Sequence, residues 1–317
     1  MNHKLLGLFY TWMVLVTMVL SGKSNAASTV LYQTGFEFPE FNRQFTLANQ
    51  GGWVASGDGE AGILTNAFVG QGQQAYIGFY LPPASTNDFT TVWRPVNYNP
   101  AGASAKIVKF KVEMEIVPSS NQAQDDFRWS AYNSAGTRLF SLDFETSTGN
   151  ISYLLDDDQF VFTNFRFDHT GSYDLEIWMD FQRNYWVAFF NNVLVVPAVP
   201  ITTKNSILNF GDMDAVWFIR NINQPGDNYM IFDNYTVTAE SIPSIPAYVE
   251  AVGHNTSGNF TFYIFGTPGI NYRVDYTTNL VDWPTHGTYL MPTNSYLLFE
   301  DDTVANQPHR FYRAVAQ

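Results

Sequence analysis

Residues 173–196 read YDLEIWMDFQRNYWVAFFNNVLVV, and this stretch decides the fold class. Tyr173, Leu175, Ile177, Met179 and Phe181 take alternate positions, with Asp174, Glu176, Trp178 and Asp180 between them. Strand side chains alternate between faces, so this is a strand with an aliphatic buried face and a polar outward one. Gln182-Arg183-Asn184 reads as a short polar turn, after which Tyr185, Val187 and Phe189 alternate with Trp186, Ala188 and Phe190. Asn191-Asn192 makes a second tight turn into a strand at 193–196, which completes an antiparallel meander.

Working outward, the composition says what this meander belongs to. The chain has 317 residues, 45% hydrophobic and 17% aromatic, enough to bury a large core and biased toward β structure. A net charge of −13 leaves no basic surface for phosphates, so nucleic acid and anionic membranes are poor partners. Without cysteine, the chain has neither disulfides nor thiol chemistry.

Lys4, the apolar run 5–20 and Ser24-Asn25-Ala26 form the pattern of an export signal cleaved after Ala26. The expected location is secreted, periplasmic or cell-surface, with no membrane span in the mature chain; a retained anchor is the competing reading.

The rest of the chain is strand after strand. Val108, Phe110, Val112, Met114 and Ile116 alternate with Lys109, Lys111, Glu113 and Glu115, and further strands are expected at 127–132, 138–144, 151–155, 159–165, 215–222 and 229–238. Glycines at 51, 52, 57, 59, 62, 70, 72 and 78 suggest loops and tight bends. About a dozen antiparallel strands over some two hundred residues suit a single jelly-roll β-sandwich. Pro243 and Pro246 then mark an extended linker, followed by five short strands, enough for a small β-sandwich-like domain. The expected organisation is signal peptide 1–26, jelly roll 27–240, linker 241–247 and small C-terminal β domain 248–317.

Thr34-Gly-Phe-Glu37, Gly52-Trp53, the meander with its Trp186-x-x-Phe-Phe-Asn-Asn-x-Leu194 return, and Phe232-Asp233-Asn234-Tyr-Thr-Val237 together resemble concanavalin-like, laminin-G-like jelly rolls of exported bacterial proteins. The opening Gly-Phe-Glu is also similar to carbohydrate-binding jelly rolls. Tyr272 to Trp283, with Arg310-Phe-Tyr-Arg-Ala314, resembles a short C-terminal β module of exported bacterial proteins. The jelly-roll resemblance implies a fold more strongly than a ligand, with carbohydrate or cell-surface glycan as the leading partner class. The similarity to carbohydrate-binding jelly rolls also implies a structural calcium ion where an acid near the first strand meets one near the last, positions held here by Glu37 and Asp233. An Asx-type bend at Asp233-Asn234 is the plainer alternative.

Trp178, Trp186, Glu176 and Asp180 are the candidate ligand residues: aromatic rings stack on sugar C–H faces while carboxylates bond hydroxyls. Large aromatics also fill cores, so packing competes with this reading. Glu113/Glu115 and Asp143/Glu145 are i, i+2 acid pairs that share a strand face roughly 7 Å apart. That is within the reach of a glycosidase pair, although any half-exposed sheet generates such pairs. The glucanase pattern Glu-x-Asp-x-x-Glu is broken, with Trp178 in its middle acidic position and Gln182 beyond Asp180. No histidine pair has metal-ligand spacing. The expected function is non-catalytic recognition of carbohydrate, with a polysaccharide-degrading enzyme and a structural envelope component as alternatives.

Overall fold

The computed structural model describes residues 28–57, 59–78, 88–241, 247–292, 296–304 and 309–317. The expected signal peptide and most of the expected linker lie outside them. Two compact units emerge, divided between Ile242 and Pro243.

Among the described residues the first unit has fifteen strands. They are β1 (Ser28–Thr34), β2 (Val54–Ser56), β3 (Ala61–Thr65), β4 (Gln73–Ile77) and β5 (Phe89–Trp93), then β6 (Ile107–Val117), β7 (Asp126–Tyr132), β8 (Arg138–Glu145), β9 (Asn150–Leu155) and β10 (Phe160–Arg166). The last five are β11 (Tyr173–Asp180), β12 (Tyr185–Phe190), β13 (Val193–Val199), β14 (Asp212–Phe218) and β15 (Tyr229–Glu240). One sheet runs β13-β12-β11-β6-β15-β4-β3, with β1 also on β15; the second runs β10-β9-β8-β7-β14-β5-β2. Every named pairing is antiparallel, and the sheets face each other across one hydrophobic core, as in a jelly-roll sandwich.

Alternation builds that core. Val108, Phe110, Val112, Met114 and Ile116 of β6 and Leu175, Ile177 and Met179 of β11 are all buried in it. From the second sheet come Phe127 and Trp129, Phe140 and Leu142, and Met213 and Trp217. The glycine-rich segment, expected to be loops, carries β2, β3 and β4. Its glycines serve close approach as well as bends: a Cβ on Gly59 would stand 2.7 Å from the Trp217 ring.

The second unit has β16 (Tyr248–His254), β17 (Phe260–Phe265), β18 (Asn271–Thr277), β19 (Thr285–Leu290), β20 (Tyr296–Asp301) and β21 (Phe311–Ala316). They form two three-stranded sheets, β16-β17-β20 and β19-β18-β21, around Phe262, Ile264, Tyr272, Val274, Met291 and Phe299. The arginines of its sequence motif have structural work. Arg273 and Arg313 hold the buried Asp275, while Arg310 and the Tyr312 hydroxyl hold the buried Asp301. No helix among the described residues is long and apolar enough to cross a membrane.

Candidate functional site

The meander sends Trp178 and Glu176 outward, to the solvent side of the first sheet, where both are half-buried. The Trp178 indole N–H donates to Glu176 Oε1, and the Lys109 ammonium sits 3.9 Å above the indole ring. Lys109 also pairs with Glu240 at 2.7 Å, and Lys111 with Glu176 at 3.4 Å. Phe189 borders the ring at 5.4 Å. Around Trp178 the charges of this face are already matched across strands, and a cation caps the tryptophan.

Trp186 is not on that face. The hairpin pairs Asp180 with Tyr185, so four residues, not three, form the loop. That change of parity sets Trp178 opposite Val187 and Trp186 opposite the inward Met179. Trp186 is fully buried, stacked on Phe140 with ring centroids 3.9 Å apart, and belongs to the core. Asp180 is also withdrawn from a ligand. Its carboxylate is 2% exposed, accepts from the backbone N–H groups of Gln182 and Arg183, and pairs with the Arg183 guanidinium, so it closes the turn.

The solvent side of the second sheet is built differently. Inward Phe127, Trp129, Met213 and Trp217 leave Asp126, Arg128 and Ser130 of β7 and Asp212, Asp214 and Phe218 of β14 on the opposite side. Register places Arg128 between Asp143 and Val216, and Ser130 between Ser141 and Asp214. Arg128 forms an ion pair with Asp143 and lies 4.4 Å over the Phe218 ring. Arg220, just beyond β14, pairs with Asp126 and with Glu145, each at 2.8 Å. Phe160 and Phe162 of the edge strand β10 are exposed and meet edge to face at 5.0 Å. These side chains line an open cleft of about 360 Å³.

Burial dominates the electrostatics there. It pushes the Asp126 carboxyl up to about 6 against the pull of Arg220, and raises Asp143 against the pull of Arg128. Glu145 moves the other way, lowered first by the Thr148 hydroxyl it accepts from. Farther along the face, Asp212 is pushed up to about 6 by burial, and Asp214 well above its ordinary value by burial and by Asp212. Thr91 donates to Asp214 Oδ2, while its Oδ1 has no donor among the described residues. Protonation of one of the two carboxyls would let the neighbouring Asp212 fill that place.

Sequence reasoning had Asp143 and Glu145 as a pair. It missed Asp126, Arg128, Arg220 and Asp212/Asp214, which come from segments far apart in the chain. Asp212 and Asp214 carried one signal, acids alternating with Met213 and Ala215, but the strand was expected to start only at Ala215.

Glu37 and Asp233 lie near each other. Glu37 accepts from the Gln73 N–H at 3.0 Å, and Asp233 from the Asn234 N–H at 2.7 Å and the Gln74 amide at 3.3 Å. Burial first, then Glu113 and Glu37, pushes Asp233 up to about 6. Among the described residues no lysine or arginine pairs with these three acids. In the second unit, His286, Asp301 and Asp302 offer ligand atoms within 4.8 Å, but Asp301 is already saturated by Arg310, Tyr312 and Thr303.

No protein-family model matches the chain, and no curated protein matches it. Among solved structures it is similar to arcelin-5, a lectin-like defence protein from Phaseolus vulgaris, at TM-score 0.43 and 10% identity over 68% of this chain and 100% of that one. It is also similar to the catalytic domain of a glycoside hydrolase family 131 protein from Coprinopsis cinerea, at TM-score 0.44 and 10% identity over 66% and 93%. A sialidase aligns at TM-score 0.45 and 8% identity over 66% of this chain, which spans 18% of that protein. At these values no residue correspondence follows. The two-sheet architecture rests on the strand pairings themselves.

Proposed function

We propose that the chain is an exported, non-catalytic recognition protein that binds carbohydrate along the solvent side of the second sheet. The observation that carries this reading is the cleft in which Phe160, Phe162 and Phe218 border Asp126, Asp143, Glu145 and two arginines. Rings offer a surface to sugar C–H faces, and the carboxylates and guanidinium groups bond hydroxyls. Both arginines are committed to acids, so a phosphate finds no free base here. Export rests on the apolar segment at 5–20 and the small residues at 24–26.

A glycan array on the chain lacking residues 1–26 tests the reading. Binding should be lost in the Phe160→Ala/Phe162→Ala double variant at nearly unchanged melting temperature, since both rings are exposed. It should persist in Trp178→Ala. An array without hits, or binding that survives loss of both phenylalanines, overturns the proposal.

One observation favours hydrolysis as a second reading. Asp126 is raised to about 6 while Glu145, in the same cleft, is lowered, and a glycosidase needs one carboxyl that keeps its proton beside one that has lost it. Release of reducing ends from an array-positive glycan, abolished in Asp126→Asn, would replace recognition by catalysis.

We also propose a structural calcium ion held by Glu37 and Asp233. The support is an all-oxygen donor set and the repulsion of Asp233 by Glu37 and Glu113, which a cation would relieve. Chelation should then lower the melting temperature. Identical melting with and without chelator removes the ion.

A further inference from the structure

The second unit carries an aromatic face of its own. In β17, Phe262 and Ile264 point into the core, so Tyr263 and Phe265 point out. Register aligns Phe265 between Tyr248 and Tyr296, and Tyr263 between Glu250 and Leu298. Four rings therefore adjoin across three strands: Tyr248–Phe265 at 5.8 Å, Phe265–Tyr296 at 6.1 Å, Tyr263–Phe265 at 5.9 Å and Tyr263–Tyr296 at 5.8 Å. Strand spacing makes this patch about 10 Å wide.

Exposure here has a particular chemistry. Tyr248, Leu298 and Tyr296 are 56%, 53% and 43% exposed, in a unit whose hydrophobic core has six buried residues among those described. Such a unit gains from burying rings, so leaving four on one face marks an interaction surface. The core tyrosines of the same unit have partners: the Tyr272 hydroxyl accepts from the Thr267 N–H, and the Tyr312 hydroxyl donates to Asp301. The hydroxyls of Tyr248, Tyr263 and Tyr296 make no hydrogen bond among the described residues. Around the rings stand Glu250 and Glu300, and none of the outward positions of β16, β17 and β20 is a lysine or arginine.

That charge pattern selects the occupant. Anionic ligands meet two carboxylates and no cation. A second copy of this face would set acid against acid in a chain of net charge −13. Rings with free hydroxyl tips and carboxylate acceptors match a neutral polyhydroxylated chain, which presents apolar C–H faces and hydroxyl rims together. We propose that the outward face of β16-β17-β20 is a second carbohydrate-binding surface, specific for neutral polysaccharide and independent of the cleft in the first unit.

Native gels cast with xylan, with mixed-linkage β-glucan or with galactan test this on the chain lacking residues 1–26. Retardation in at least one gel should persist in Phe160→Ala/Phe162→Ala and weaken roughly tenfold in Tyr248→Ala/Tyr296→Ala, as expected for two lost ring contacts. Tyr248→Phe/Tyr296→Phe should retain an intermediate affinity, because stacking survives and the hydroxyl bonds do not. No retardation in any of the three gels, retardation unchanged by the alanine pair, or a light-scattering dimer that the alanine pair dissolves would each overturn the proposal.

Discussion

The solvent sides of the two sheets use the same kinds of residue to opposite ends. Around Trp178 on the first sheet, Lys109 serves Glu240 and Trp178 together, and Lys111 meets Glu176, so each acid has a cation and partial access to water. On the second, Asp126, Asp143 and Asp214 are each less than 9% exposed, and only the first two have an arginine. Water reaches the acids of the first lattice and is largely kept from these three aspartates of the second face. The lesson is that pairing alone does not make a face inert. Burial of the acids leaves the second face electrostatically stressed, and stress of that kind concentrates at functional sites.

The sharpest way to break this comparison is to delete one cation from each face. Arg128→Ala strands the Asp143 carboxylate, 3% exposed, without its base, and should cost about 3 kcal/mol, part of the penalty being relieved as Asp143 takes up a proton. Lys109→Ala leaves Glu240 with about one-fifth of its side chain in water and uncaps Trp178, and should cost about 1 kcal/mol. Urea unfolding of both variants measures the difference. Equal losses would mean that the second face carries no special stress.

How much of this was legible follows from the range of each signal. Alternation acts within a strand, and it placed Val108 through Ile116, Leu175, Ile177 and Met179 inward and Trp178 outward. Trp186 was misplaced because facing depends on hairpin parity, and one extra loop residue, Phe181, reverses it. The cleft was mostly invisible. Arg220 reaches Asp126 across 94 residues, and that meeting is set by the register of β14 on β7, which no local pattern encodes. β2, β3 and β4 were hidden by the glycines in and around them, which read as bends when close neighbours such as Trp217 beside Gly59 are unknown.

The smaller effect concerns the acid pair Asp212/Asp214. Asp126, Asp212 and Asp233 are raised to about 6 in the fold, and Asp214 is raised well above its ordinary value, whereas unfolded aspartate titrates near 3.9. The folded state therefore holds these protons at a pH where the unfolded chain has released them. Their contribution is complete below about pH 4 and is lost as pH rises through about 6. Asp156 and Asp227, lowered to about 2, act in the other direction: their contribution is present above about pH 4 and disappears as pH falls toward 2. Thermal stability should peak in mildly acidic buffer and decline from pH 5 to pH 8. Asp214→Asn isolates the pair, since its amide supplies Asp212 with a donor at every pH and removes one buried charge. The variant should lose less stability than the wild-type chain over that interval. Thermal melts at pH 5 and pH 8 read this directly. Parallel declines in both proteins would show that Asp212 and Asp214 do not share a proton, and the contrast between the two faces would then rest on Arg128 and Arg220 alone.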